Sequence, residues 1–324
     1  MKKIDAHIHF YGDHPDVVAF MGRMDLKFLN ICVVHSADET WREQADVFRG
    51  LAAQHPDRYA WCTSFDLPDF DDAHYADRVI AGLERDFQTG AIACKIWKNV
   101  GMDLKTPSGA FLMADDAVFD PIFEYLAKLG VPLIAHLAEP MACWQPLSED
   151  NPHYGYYSKN PQWHMYNRPE FPSHQEIMDA RDRMLGKHPK LRVVGAHLGS
   201  LEYDVAEVAK RLDRYPNFAV DTSARLADLA YQDAEAVRAF MVAYSDRVLF
   251  GTDLVQRQRV SEMADEERQR RLQGAEGQYR MAAAYYGSDG QVAVRNRTVQ
   301  GLGLPEDVLE KLYYRNAEAW FPGV

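Results

Sequence analysis

Short apolar runs alternate with longer amphipathic stretches along the whole chain. Read as strands, the runs are residues 3–10, 28–36, 58–66, 91–97, 131–137, 191–198, 218–222 and 247–253. Helix-like segments lie between them, among others 37–54, 69–88, 120–130, 173–188, 201–215 and 233–245. Runs such as LIAHL, RVVGAHL and RVLFGTD are apolar on both faces. A parallel strand needs this, because helices cover one side and a core fills the other. Strand then helix, carried through eight strands, predicts an α/β fold, a (β/α)8 TIM barrel. An open doubly wound sheet is the alternative on pattern alone. No Gly-rich dinucleotide fingerprint follows the first strand, which counts against it.

Ser173, with Glu176 three residues on, predicts a capping box. Residues 138–172 follow the fifth strand and carry Pro, Tyr, Trp and His with little periodicity, so they are expected to form a lid or binding loop. Residues 262–324 read as a helical C-terminal extension, broken by Gly and Pro and appended to the barrel. With no repeat, low-complexity tract or second core, residues 1–324 are expected to form one domain.

Composition narrows the classes. Apolar residues make up 47 % and charged residues 26 % of the 324, the balance of a globular protein with a real core. A net charge of -12 opposes binding to a polyphosphate backbone, so nucleic acid is not an expected partner. Cys32, Cys62, Cys94 and Cys143 form no C-x-x-C pair and are expected to be free buried thiols. The chain goes almost directly into its first strand, and no apolar stretch approaches the ~20 residues of a membrane span. A cytoplasmic protein with a small-molecule substrate and no membrane partner is the expectation. A homo-oligomer stays open.

The candidate chemistry sits at strand ends. Asp5, His7 and His9 fall at spacing two, which predicts one shared side of the first strand. Two imidazoles so placed can converge on one metal ion. His136 closes VPLIA, His197 closes RVVGA and Asp253 closes RVLFGT. A barrel gathers all these ends on one face, where barrel active sites lie. A lone core histidine is usually a satisfied hydrogen bonder. His7, His9, His136, His197 and Asp253 at the ends of four strands point instead to a metal site.

The segments DAHIHF, IAHLAEP, VVGAHLGS and LFGTD resemble the metal motifs of the amidohydrolase superfamily, in particular its amidohydrolase-2 branch. The ending GLGLPEDVLEKLYYRNAEAWFPG, with Asn316, is similar to that branch's C-terminal signature, so the resemblance spans essentially the whole chain. It implies that His7, His9 and His136 bind a divalent metal, with Asp253 as a further ligand. It places His197 beside the metal, polarising the substrate or a bound water. In binuclear relatives a carboxylated lysine of the fourth strand bridges two metals. Lys95 lies in that strand and is either such a carbamate or a buried or substrate-facing ammonium. Glu139 is either a metal or substrate contact or half of a salt bridge.

Imidazole and carboxylate ligands suit Zn2+, with Mn2+, Fe2+ or Co2+ as alternatives. The expected reaction is attack of metal-activated water on a C–N or C–O bond (amide, lactone or ester) of a small carboxylate-bearing substrate. Asp253 would shuttle the proton and His197 would stabilise the oxyanion. Asp5 would support the metal-binding pair or act as a structural hydrogen bonder. The rival is a carboxy-lyase, a metal-dependent non-oxidative decarboxylase of an aromatic or unsaturated acid, which the resemblance also allows. A non-catalytic metal-binding scaffold would lack ligands, and all are present. Arg225 is a candidate clamp for a substrate carboxylate or a salt-bridge residue. Trp144, Trp163, His164 and Tyr166 are candidate pocket walls or lid residues, and Trp97 is expected to pack the barrel. His35, His55, His74, His153, His174 and His188 read as surface residues. G-x-S-x-G, H-E-x-x-H and phosphate-loop motifs are absent.

Overall fold

The computed structural model describes residues 1–36 and 40–324. Eight parallel strands follow in order: β1 (Lys3–Phe10), β2 (Leu26–Ile31), β3 (Tyr59–Ser64), β4 (Ala91–Ile96), β5 (Leu133–Ala135), β6 (Val193–Gly195), β7 (Phe218–Asp221) and β8 (Val248–Leu249). Each pairs with its sequence neighbours, and a short continuation of β8, β9 (Val255–Gln256), pairs in parallel with β1. Backbone bonds from Ala6 N to Phe250 O (2.9 Å) and from Asp253 N to His7 O (2.8 Å) seal that seam. The sheet is a closed barrel. Every predicted strand is found, most of them shorter than expected. The apolar runs continue past the last ladder bond, into the turns that carry the site residues.

Helices fill the intervals, including Thr40–Gln54, Tyr75–Gln88, Asp120–Leu129, His174–Lys187, Val205–Arg214 and Ala234–Ala243. The first three residues of the predicted helix 37–54 lie outside the described residues. The capping box is present: Ser173 Oγ accepts from Glu176 N, and Glu176 Oε2 accepts from Ser173 N at 2.7 Å. All four cysteines are free and buried. Among the described residues no helix is long and apolar enough to cross a membrane.

Small and branched side chains fill the barrel interior: Ile4, Ala6, Leu29, Ile31, Ala60, Cys62, Ala93, Ile134, Val194, Ala219 and Leu249. Ile8, Phe10 and Phe28 belong instead to the layer between sheet and helices. β1 therefore changes phase. Asp5 pairs with Phe28 and Ile8 with Asn30, so β1 carries one extra residue between them. This bulge re-aims the strand, and it corrects the expectation that Asp5 shares a side with His7 and His9. Asp5 is buried on the outer side, where Oδ2 accepts from Tyr279 OH (2.6 Å) and Thr252 Oγ1 (2.5 Å). Burial pushes its carboxyl up to about 6 against those bonds. Asp5 joins β1 to the loop after β8 and to the helix Asp265–Gly287.

The C-terminal region departs from expectation twice. After the helix Asp265–Gly287 comes an antiparallel hairpin, Gln291–Val294 with Arg297–Gln300, where helix was expected. QVAV and RTVQ are short runs rich in β-branched residues, and only Val294 is fully buried. The final helical run, residues 306–320, is a plug, not an appendage. Ala317, Trp320 and Phe321 join the barrel's interior cluster. Asn316 Nδ2 donates to Ser245 O (2.6 Å) and Val248 O (2.7 Å), at the entry to β8. With the bottom closed in this way, the strand ends at the top remain for function.

Candidate metal centre

β1 delivers His7 and His9, β5 is followed at once by His136, and His197 and Asp253 lie in the turns after β6 and β8. His197 and Asp253 have φ of 59° and 58°, left-handed conformations that a side chain with Cβ adopts at a cost and that cluster at functional sites. Both are held by the backbone. His197 N donates to Asp221 Oδ1 at 2.9 Å, and Asp253 N to His7 O at 2.8 Å.

The hydrogen bonds decide where the imidazole lone pairs point. His9 Nδ1 meets the carbonyl of Ile31 at 2.7 Å, and a carbonyl only accepts, so Nδ1 carries the hydrogen. His7 Nδ1 likewise donates to Asp221 Oδ2 at 2.8 Å. His197 Nδ1 lies 2.9 Å from Ser223 O. In its neutral form each ring thus keeps an unprotonated Nε2. His9 Nε2 faces Asp253 Oδ1 at 3.4 Å and His7 Nε2 lies 4.0 Å from the same oxygen, so lone pairs confront lone pairs. His136 Nε2 is buried with no hydrogen-bond partner. Such an arrangement asks for a cation. Imidazoles whose second nitrogens are pinned by carboxylate or carbonyl are also the usual support of a metal ligand set. The donor set fits a divalent ion, and His7, His9 and Asp253 bring their ligand atoms within 4.8 Å of one another.

The charges agree. Burial drives the Asp221 carboxyl upward, but His7, whose Nδ1 donates to it, outweighs burial and holds it well below the usual carboxylate range. Burial lowers His136 far below its ordinary value and His197 to about 3, so both rings are neutral, as ligands must be. Lys95, buried in β4, is lowered to about 8 by burial, and its Nζ lies 3.3 Å from His7 Nε2. As an ammonium it donates to that lone pair.

His7, His9, His136, His197, Asp253 and Lys95 line a cavity of about 210 Å³, together with Tyr11, His35, Trp97, Lys98, Tyr156 and Arg257. Several expectations change here. Neutral His197 presents an acceptor, not a donor, so it is not the oxyanion's hydrogen-bond partner. Arg225 is absent from the lining; it is buried, and Nη1 lies 3.1 Å from Ala224 O and 3.9 Å from Asp228. Trp144 is not a wall either, because its Nε1 donates to Pro172 O (3.1 Å) and pins the two ends of the 138–172 segment together. Glu139 is spent on a buried ion pair with Lys98 and also accepts from Tyr157 OH at 3.2 Å. His164 bonds Gln145 O, and Tyr166 is exposed. Trp97 does line the cavity, with Trp163 behind it at 5.3 Å.

Of the supposed surface histidines, His174 and His188 are buried on Ser200 O and Asp120, and half-buried His153 pairs with Asp228. His35 reaches the cavity edge-on to Trp97. Sequence reading missed Asp221, Ser223, Lys98 and Arg257. Asp221 had a signal, since it closes the apolar run FAV as the ligand candidates close theirs.

A closed parallel barrel whose strand ends bring imidazoles and a carboxylate to one cavity is the frame of a barrel enzyme with a candidate metal site. The family Amidohydro_2, described as amidohydrolase, matches residues 4–323, and the chain belongs to it. None of the curated proteins matches. Among solved structures, a 2,6-dihydroxybenzoate decarboxylase is similar at 17 % identity and TM-score 0.58, covering 99 % of each chain. A dihydroxybenzoic acid decarboxylase from Polaromonas sp. JS666, holding manganese, is similar at 16 % identity and TM-score 0.55, covering 99 % of this chain and 96 % of that one. A 4-oxalomesaconate hydratase from Rhodopseudomonas palustris is similar at 12 % identity and TM-score 0.55, with the same coverage. The likeness is one of fold.

Proposed function

We propose that this chain is a metal-dependent hydrolase acting on a C–N or C–O bond of a small carboxylate-bearing molecule. The observation that carries the reading is the confrontation of His7, His9 and Asp253 lone pairs beside the unpartnered His136 Nε2. His7, His9, His136 and Asp253 would hold the ion, with Zn2+ the first candidate and Mn2+, Fe2+ or Co2+ the alternatives. Bound there, a divalent ion supplies Lewis acidity and lowers the pKa of water toward neutrality.

The remaining work belongs to the protein. Asp253 is ionised and faces the cavity, so it accepts the attacking water's proton and returns it to the leaving group. Lys95 is the donor available to a developing oxyanion, a part that neutral His197 cannot play. His197 Nε2, an acceptor, orients the water. Among the described lining residues, Lys95 and Arg257 stand against the carboxylate of Asp253, with Lys98 paired to Glu139, in a protein of net charge -12. A local positive field in an acidic protein supports an anionic substrate.

Decarboxylation is the second reading, favoured by the flat wall of Trp97 and by the cations that an aromatic acid would meet. A panel of carboxylate-bearing amides, lactones and aromatic acids, turned over in water enriched in heavy oxygen, separates the two. Label entering the product supports hydrolysis. Release of CO2 with no label in the organic product replaces it with the lyase, and no turnover of any panel member with metal bound overturns both.

A further inference from the structure

The cavity has two ends. At the inner end stand His7, His9, His136, Asp253 and Lys95. A wall then runs outward: the His136 ring lies 6.5 Å from Trp97, Trp97 lies 4.3 Å edge-on from His35, and Arg257 Nη2 lies 3.2 Å from His35 Nε2. Arg257 therefore marks the outer end of the same cavity.

The three cavity cations are not equivalent. Lys95 belongs to the inner cluster. Lys98 is neutralised by Glu139, and the rings of Trp163 (4.2 Å), Trp97 (5.2 Å) and Tyr156 (5.5 Å) surround it. Glu139, Tyr156 and Trp163 all come from the segment 138–172, so Lys98 is the pin on which that segment closes. Arg257 is different. Among the described residues its guanidinium is held by a ring nitrogen and not by a carboxylate. Its charge acts on both Tyr11 and Tyr156, hydroxyls that also line the cavity. A guanidinium offers a planar fork that matches a carboxylate with two parallel bonds.

We infer that Arg257 binds a carboxylate of the substrate remote from the reacting bond, so that the substrate is a flat molecule reacting at one end and anchored by charge at the other. This rests on the reading of the cavity as the active site. It transfers to Arg257 the part that the sequence suggested for Arg225. It holds for hydrolysis and for decarboxylation alike, because the anchoring anion is not the group transformed.

The test measures binding of benzoate and of its neutral isostere benzamide to the full chain as purified, followed by the change in tryptophan fluorescence, to which Trp97 in the cavity wall contributes. Wild-type protein should prefer benzoate. Arg257→Met should weaken benzoate roughly tenfold and leave benzamide and metal content unchanged, and Arg257→Lys should fall between. The inference is overturned if benzoate affinity survives Arg257→Met, if both probes weaken together, or if wild-type protein binds neither. Binding needs no turnover, so failure of the hydrolytic reading would appear in the product assay and leave this result standing.

Discussion

Asp221 shows how much one buried carboxylate can organise. Its two oxygens accept from His7 Nδ1 (2.8 Å), His197 N (2.9 Å), Ser223 N (3.1 Å) and Ser223 Oγ. Asp221→Asn keeps the shape but removes the charge that fixes the His7 tautomer. Affinity for the divalent ion should fall about 10- to 100-fold, read by competition with a chelator, while far-ultraviolet circular dichroism stays unchanged. An unchanged affinity would mean that Asp221 has no orienting part. At this scale the sequence was legible where a costly polar residue ended an apolar run, which covers His136, His197, Asp253 and, had the rule been applied evenly, Asp221. It was not legible where a loop decides direction. Arg225 and Arg257 each lie a few residues past a barrel strand end, and spacing alone does not say which one turns into the cavity.

Elements repeat the lesson. All eight strands were visible, because burial on both faces leaves an unmistakable apolar run. The extra residue in β1 was not, since KIDAHIHF alternates smoothly and only pairing with β2 reveals the shift. Nor was the closing of the barrel floor by residues 306–320. Asn316 bridges two carbonyls there, and Asn316→Ala should cost about 2 kcal/mol in urea unfolding by leaving Ser245 O and Val248 O unpaired. A loss below a few tenths of a kcal/mol would show that the carbonyls find other partners. The helix His174–Lys187 makes a pH prediction. His174 Nε2 lies 2.7 Å from Ser200 O, and burial lowers the ring from 6.5 to about 4. As the pH falls from 6.5 to 4, the unfolded chain takes up a proton that the folded chain refuses. Stability gained from this group above that window is lost within it, by about 3 kcal/mol. Wild type should therefore lose more stability than His174→Gln on acidification, whereas parallel curves would contradict the assignment.

For the whole molecule, the fold follows from closure. The strand ends are gathered at one mouth, the C-terminal run fills the opposite one, and residues 138–172 bring Tyr156 to the cavity while Trp144 ties their ends. The protein's acidity hides cations in the cavity that no composition count could show, because Lys95 and Arg257 come from separate stretches of chain. The central claim is that His7, His9, His136 and Asp253 together hold a single divalent ion. Calorimetric titration of Zn2+ into chelator-treated protein tests it most directly. The predicted result is one ion per chain, with affinity about 100-fold weaker or worse in each of His7→Ala, His9→Ala, His136→Ala and Asp253→Ala while the fold persists. No binding, or binding indifferent to all four substitutions, would contradict it.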